Sequence, residues 1–355
     1  MIDVSAEVAK IDERIELATG GRLYAGWTSV SVTRSLDALS GSFSLTLAAK
    51  GATADIDVQI RSGDRCEVRI GGATVINGWI DTVAPSIDAN DHRITVSGRD
   101  RTADLADCSA IHKPGTWRKA KVEAIAAELA APFGIKVTAR VSTGNAIAKF
   151  ALQQGETVQA AIERLLRFRG LLMVANADGD LEIITPDEGA PAGTLEYGVN
   201  ILSASATHDV SGRFSSYLIK GQAAGDDTKH GKTVSQISGT ATDAGVGRYR
   251  PLLVIAEEQG DAASLKVRAA WEAGVRAGKA VSAEIGALGW RVAAGGALWR
   301  PNMPVQVKCG AVQLPDEAML VTAVTLTRDE GGTIATITVM PPGAWKQLAE
   351  PEKAK

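Results

Sequence analysis

The sequence is short of everything that usually announces chemistry. It has three cysteines, Cys66, Cys108 and Cys309, far apart and without a CxxC pair. Neither a zinc site nor a disulfide framework follows from them. Reduced, buried thiols are the simpler reading, and they fit folding in a reducing cytoplasm. Only four histidines occur, His92, His112, His208 and His230, and none belongs to an HExxH pattern. Lys and Arg number 38 against 41 Asp and Glu, a net charge of -3. That leaves no basic excess to grip nucleic-acid phosphates, so tight DNA binding is disfavoured. No run of 18 apolar residues appears, so no membrane span or membrane anchor is expected. The opening MIDVSAEVAKIDERIEL carries Asp3, Glu7, Asp12 and Glu13 and lacks the apolar stretch of a secretory signal.

What is present is a chain able to build cores. It has 355 residues, 45% of them hydrophobic and 22% charged, a length that suits two or three domains. The first hundred residues read as short strands. Gly20-Gly21 is a hairpin signal between strands at 14–18 and 22–25. Residues 42–47 alternate Ser, Phe, Ser, Leu, Thr, Leu, the period of a half-buried strand. Cys66, Val68 and Ile70 alternate with Arg65, Glu67 and Arg69, and Gly71-Gly72 turns into a strand around 75–83. Another strand is expected over 92–98. Six or seven such strands suggest a small barrel or sandwich.

The period then changes. Val122, Ile125, Ala126, Leu129 and Ala130 are spaced as one face of a helix, followed by Gly134 and a strand at 135–141. Val158, Ala161, Ile162, Leu165 and Leu166 repeat the pattern, with Glu156 expected in the first helical turn. Gly170 and a strand at 171–175 follow, and Asp178-Gly179 turns into a strand at 181–185. Residues 186–193, PDEGAPAG, read as a linker. Strands return at 216–221, 233–237, 249–256, 281–291, 305–309 and 319–328, the last forming a hairpin with 333–340. Asp261 is an expected N-cap for a helix ending at Gly278. The fold class expected is therefore mainly β with α+β. A β-barrel-like domain at 1–105 precedes an α+β domain at 106–192. A second barrel-like domain spans 193–345, with an inserted helix at about 261–278, and a polar, loose tail covers 346–355.

Several residue groups invite chemistry, and each has a plainer reading. His208-Asp209 with Ser211 suggests a triad, yet neighbours on a strand point to opposite faces. Asn176, Asp178 and Asp180 suggest a calcium loop, but the glycine is misplaced and no closing Glu follows, so a hairpin is favoured. Glu257-Glu258 or Asp226-Asp227 as a glycosidase pair lacks an aromatic cleft signature. The runs at Gly71-Gly72, Gly245-Val246-Gly247 and 286–296 match no phosphate loop. Arg164, Arg167 and Arg169, and Arg93, Arg99 and Arg101, are interleaved with acids such as Glu163 and Asp100. Solvated or interdomain ion pairs are expected there rather than DNA contacts. Trp271, Trp290, Trp299 and Trp345 read as core or subunit-interface anchors. No catalytic, metal or cofactor residue is assigned.

One signal points further. Gly26-Trp27-Thr28-Ser29-Val30 with Arg34-Ser35 opens a series continued by Gly78-Trp79-Ile80-Asp81 and Gly98-Arg99-Asp100 with Asp104-Leu105 and Asp107-Cys108. Arg213-Phe214-Ser215 with Tyr217 and Lys220-Gly221, the run 248–261, and Gly289-Trp290 and Leu298-Trp299 with Pro301-Asn302 complete it. In order and spacing the chain, from Arg22 to Trp345, resembles the baseplate hub proteins of Mu-like contractile-tailed bacteriophages. The resemblance implies a non-enzymatic homotrimer from a related phage or prophage. Its ring, with two barrel-like domains per chain, would adapt a hexameric tail tube to a trimeric spike and let DNA pass. Implied partners are the tube protein, the central spike and other baseplate proteins. Similar hubs occur in R-type pyocins and type VI secretion spikes. The implied place is the virion tail baseplate, after assembly in the host cytoplasm, with acids on inward strand ends lining the channel. The alternatives are a peptidoglycan-binding or wall-degrading tail module and a tube or sheath subunit.

Overall fold

A computed structural model describes residues 13–50, 59–87, 91–221, 237–256 and 261–349. The alternation expected from the sequence builds the first lobe. Strand Ile15–Thr19 turns through Gly20 and Gly21, both at positive φ, into Arg22–Tyr24. Strands Ser29–Ser35, Ser42–Lys50, Arg65–Ile70, Ala73–Ile87 and Asp91–Asp100 follow. Cys66, Val68 and Ile70 all point inward, as their period requires. Two glycines let neighbouring strands touch. A Cβ on Gly98 would lie 2.1 Å from the Trp79 carbonyl oxygen, and one on Gly78 would lie 2.0 Å from that of Arg99. The resemblance motifs around Trp79 and Arg99 thus mark a place where only backbone fits.

The second β lobe is not a separate sheet. Strand Glu317–Asp329 pairs antiparallel with Gly332–Met340 along one edge. Its other edge takes Met303–Lys308 over its first half and Ser29–Ser35 over its second. Residues 323–328 therefore pair with residues 30–35, and one 13-stranded sheet runs through both lobes. Its main path ends at Ile201–His208 and Arg22–Tyr24, and Thr194–Glu196 joins Met303–Lys308 off that path. A single apolar core follows it, from Leu17, Val32 and Leu45 to Val324, Ile337 and Trp290.

Residues between the lobes form their own core. Helix α1 is Ala103–Asp107, α2 is Val122–Ala130 and α3 is Val158–Arg167. All five expected apolar residues of α2, and all five of α3, are buried. Gly134 and Gly170, both at positive φ, end the two helical segments. The strands that follow, Val137–Ala139 and Leu172–Ala175, flank Leu181–Ile184 in one small sheet. Glu156 sits one residue before the N-cap rather than inside the helix; Thr157 caps α3 by accepting from the Ala160 N–H at 3.2 Å. A two-stranded sheet, Thr116–Ala120 with Ile147–Ala151, had no counterpart in the sequence reading.

A third small core lies within the span of the second lobe but apart from the 13-stranded sheet. Strand Ser216–Gly221 is flanked by Ile237–Thr242 and Pro251–Ile255, and helix α4, Ala262–Lys279, packs on them through Leu265, Ala269 and Ala273. Asp261 caps α4 from the Ser264 N–H at 2.8 Å, as expected. Gly278 does not stop the helix. It lies where the Ala344 backbone approaches, and a Cβ there would sit 2.4 Å from the Ala344 nitrogen. The start of the expected strand at 233–237 lies outside the described residues, as do residues 350–355. The tail is anchored before that point: the Trp271 indole donates to the Lys346 carbonyl at 2.8 Å.

Candidate functional site

The residues that invited chemistry are occupied with structure. Asp209 accepts from the backbone N–H of Ser211 at 2.7 Å in a local turn, while His208 Nε2 lies 3.3 Å from the Val312 carbonyl. The Ser211 hydroxyl and N–H hold the exposed Asp209 carboxyl below its usual range. Asn176 accepts from the Asp178 and Asp180 N–H groups, and the loop closes as a hairpin between Leu172–Ala175 and Leu181–Ile184. Glu257-Glu258 and Asp226-Asp227 lie outside the described residues. Among the described residues, no three His, Cys, Asp or Glu side chains gather as a metal site, and no helix is long and apolar enough to cross a membrane.

Of the arginines expected to be solvated or in ion pairs, Arg99, Arg101 and Arg164 are paired with acids. Arg164 binds Glu156 at 2.7 Å and covers the Phe150 ring at 4.4 Å. Arg99 bridges Asp81 at 2.8 Å and Asp107 at 2.9 Å. Arg169 donates to the carbonyls of Thr143 and Asn145. Trp290 and Trp299 are buried; the Trp290 indole donates to the Thr327 and Ile334 carbonyls, with Arg328 over its ring.

What these contacts build is a junction where both β lobes meet the middle domain. Arg101, at the end of strand Asp91–Asp100, reaches across it. Its guanidinium donates to Asp180 Oδ1 at 2.7 Å, the Asp178 carbonyl at 2.9 Å and the Gly134 carbonyl at 3.0 Å. Arg34 donates to the Ala175 carbonyl at 2.5 Å. Burial pushes the Arg34 guanidinium down, opposed by nearby Asp100 and reinforced by Arg300. Asp100 itself is buried and takes N–H bonds from Gly41 and Thr102 and the Thr102 hydroxyl. Burial still drives its carboxyl upward. On the far side Asn302 accepts from the Asp187 N–H at 3.0 Å and donates to the Thr185 carbonyl at 3.1 Å. The stretch read as a linker is thereby fastened to the second lobe.

Two adjoining clefts open at this junction. One, of about 420 Å³, is polar and bordered by Arg34, Arg140, Glu182, Asp187 and Arg300. Burial works against the Glu182 carboxylate, but hydrogen bonds led by Arg140 hold it below its usual range. The other, of about 260 Å³, is walled by apolar residues and by three arginines. The sequence registered Arg34 and Asn302 only within the motifs of the resemblance, and Asp100 there and as an acid among solvated or ion-paired arginines, whereas it is buried on backbone N–H groups. A charged residue in a strand gives no sign that it will be buried. The alternation of burial around Arg34, with Val30 and Val32 inward, was the one local hint.

A second surface stands out by exposure. The sheet edge Ile201–His208 carries no acid, lysine, arginine or proline, and Leu202 is exposed on it. Tyr197, Val199 and Leu288 are exposed beside it, the Leu288 N–H donating to the Asn200 carbonyl. Edge strands of independent proteins are usually guarded by charge or proline.

Comparisons with known proteins agree along the chain. Residues 14–100 match the family model of the Mu phage baseplate assembly protein GpP-like N-terminal domain. Residues 102–185 match the second domain of the baseplate hub protein gp44-like family, and residues 261–348 the fourth domain of the GpP family. The baseplate hub protein gp44 of Escherichia phage Mu is 36% identical over 336 residues, covering 92% of this chain and 87% of that protein. The crystal structure of the 43 kDa tail protein of prophage MuSo2 from Shewanella oneidensis superposes with a TM-score of 0.85 at 36% identity, covering 95% of this chain and all of that one. An E. coli component of the type VI secretion system, described as structurally similar to the T4 tail proteins gp27 and gp5, shares the fold. It superposes at a TM-score of 0.57 and 12% identity, over 95% of this chain and 79% of that one.

Proposed function

The chain belongs to the family of Mu-like phage baseplate hub proteins, and on that premise we propose that three copies close into a ring at the centre of a contractile tail. The ring joins a six-fold tail tube above to a three-fold spike below. Its β lobes, residues 1–105 and 193–345, are the repeated wall modules, two per chain. The middle domain, 106–192, lies on the outside of the wall or towards the spike. The observation that carries this reading is the pairing of strand Glu317–Asp329 with Ser29–Ser35. It fixes two β lobes side by side in one rigid sheet, so that three chains present six lobes. A three-fold body can then meet a six-fold one without a change of fold.

The channel passes DNA without binding it specifically, in keeping with the slight net negative charge. The hub contacts the tube protein, the spike and other baseplate proteins, assembles in the host cytoplasm and performs no catalytic step. Electron micrographs of the purified protein test the arrangement. Class averages with three-fold symmetry, six wall lobes and an open centre are expected; particles without a central opening, or clearing of peptidoglycan in a zymogram, would overturn it.

A further inference from the structure

The smaller junction cleft has a chemical character that assembly alone does not require. Its wall includes Val32, Leu326 and Trp299, all buried. Three cations border it, Arg34, Arg291 and Arg300, and no carboxylate does. Beyond the lining, Asp100 acts on Arg34, while Glu182 and Asp187 border the adjoining cleft, where Glu182 is paired with Arg140.

The donors here are unevenly used. Arg34 spends its Nη2 on the Ala175 carbonyl, and Arg291 its Nη1 on Gly296. The Arg291 Nε and Trp299 Nε1 are unpartnered as well, but both are sealed from solvent. Arg300 is exposed and makes no ion pair or hydrogen bond among the described residues. Three guanidinium groups around one opening, with no carboxylate among the lining residues, suit an anionic acceptor brought from outside. The apolar wall suits a short hydrocarbon or ring attached to that acceptor. Leu298-Trp299, from a motif with no evident part in the ring, supplies part of this wall, and Pro301-Asn302 borders the adjoining cleft.

We propose that the cleft binds a small free carboxylate carrying a short apolar body. The carboxylate meets the guanidinium groups of Arg300 and Arg291, and the body lies against Val32, Trp299 and Leu326. The proposal is independent of the ring: a failure of trimer formation leaves it standing, and its own failure leaves the ring reading untouched.

Isothermal titration of the purified full chain with octanoate tests it, beside acetate, which has the charge alone, and 1-octanol, which has the tail alone. Saturable binding of one octanoate per chain is expected, with no saturation by either control at roughly 1 mM. Arg300→Ala, at an exposed side chain without bonds, should weaken octanoate about tenfold or more, the worth of one charge-assisted contact. Ala297→Phe, which fills the cleft from an exposed position, should abolish binding, with circular dichroism unchanged in both variants. No saturation by octanoate overturns the proposal. So does equal binding of 1-octanol, equal binding of acetate, or an Arg300→Ala protein that binds as the parent does.

Discussion

Replacing Arg101 by methionine is the sharpest test of how the middle domain is held to the first lobe. The Arg101 and Asp180 side chains are 15% and 16% exposed, shielded enough for their attraction to outlast solvent screening. The substitution removes one charge-assisted bond, worth about 1.5–3 kcal/mol, and two bonds to carbonyls, about 0.5–1.5 kcal/mol each. It also leaves Asp180 with only the Lys136 N–H for company on Oδ1. Against this, the Arg101 Nε is already buried without a partner, and the methionine needs no desolvation of charge. The expected net loss is about 2–4 kcal/mol in urea unfolding. In a double-mutant cycle with Asp180→Asn the pair should couple by about 1–3 kcal/mol. A loss below about 0.5 kcal/mol, or strictly additive effects, would refute the junction as a structural joint.

Four further outcomes follow from other contacts in the fold. Gly98→Ala puts a Cβ 2.1 Å from the Trp79 carbonyl oxygen, and should cost at least about 1–3 kcal/mol in urea unfolding. Gly212→Ala, with nothing within 4 Å, should stay within about 0.5 kcal/mol. The hydrogen bonds from Arg213 hold the Asp243 carboxyl below its ordinary value of 3.8, so its folded form resists protonation. That stability is present above pH 3.8 and is lost as pH falls through the lower folded value; acid unfolding of Asp243→Asn should lack this component. Burial pushes the Cys66 thiol up to about 12, and Cys309 is also buried while Cys108 is exposed. A thiol reagent at pH 8 should therefore label one cysteine per folded chain and three after denaturation.

Local patterns in the sequence carried the parts of the fold that depend on local physics. The alternation in 65–70, the helical spacing in 122–130 and 158–166, and the Asp261 cap all correspond to the structure. Strand Ile201–His208 was missed because its Ser-Ala alternation over 203–207 carries little hydrophobic contrast and few β-branched residues; it is an edge with little burial. The sharing of one sheet by the two β lobes was also out of reach. It depends on residues 30–35 meeting 323–328, a pairing that no window of sequence contains. The junction escaped notice for a similar reason. Arg101 and Asp180 are 79 residues apart, and each by itself looks like an ordinary surface charge. The family resemblance reached further because its motifs mark such places: Gly78 and Gly98 where strands touch, Arg34 and Asn302 where lobes join.

The central claim is that three chains make one hub, and the native mass in solution tests it most directly. One chain weighs 37.0 kDa, so light scattering on a sizing column should give 111 kDa for a trimer, unchanged on dilution. A particle of 37.0 kDa at every concentration, or one of twice that mass, would contradict the ring as the form this chain adopts by itself.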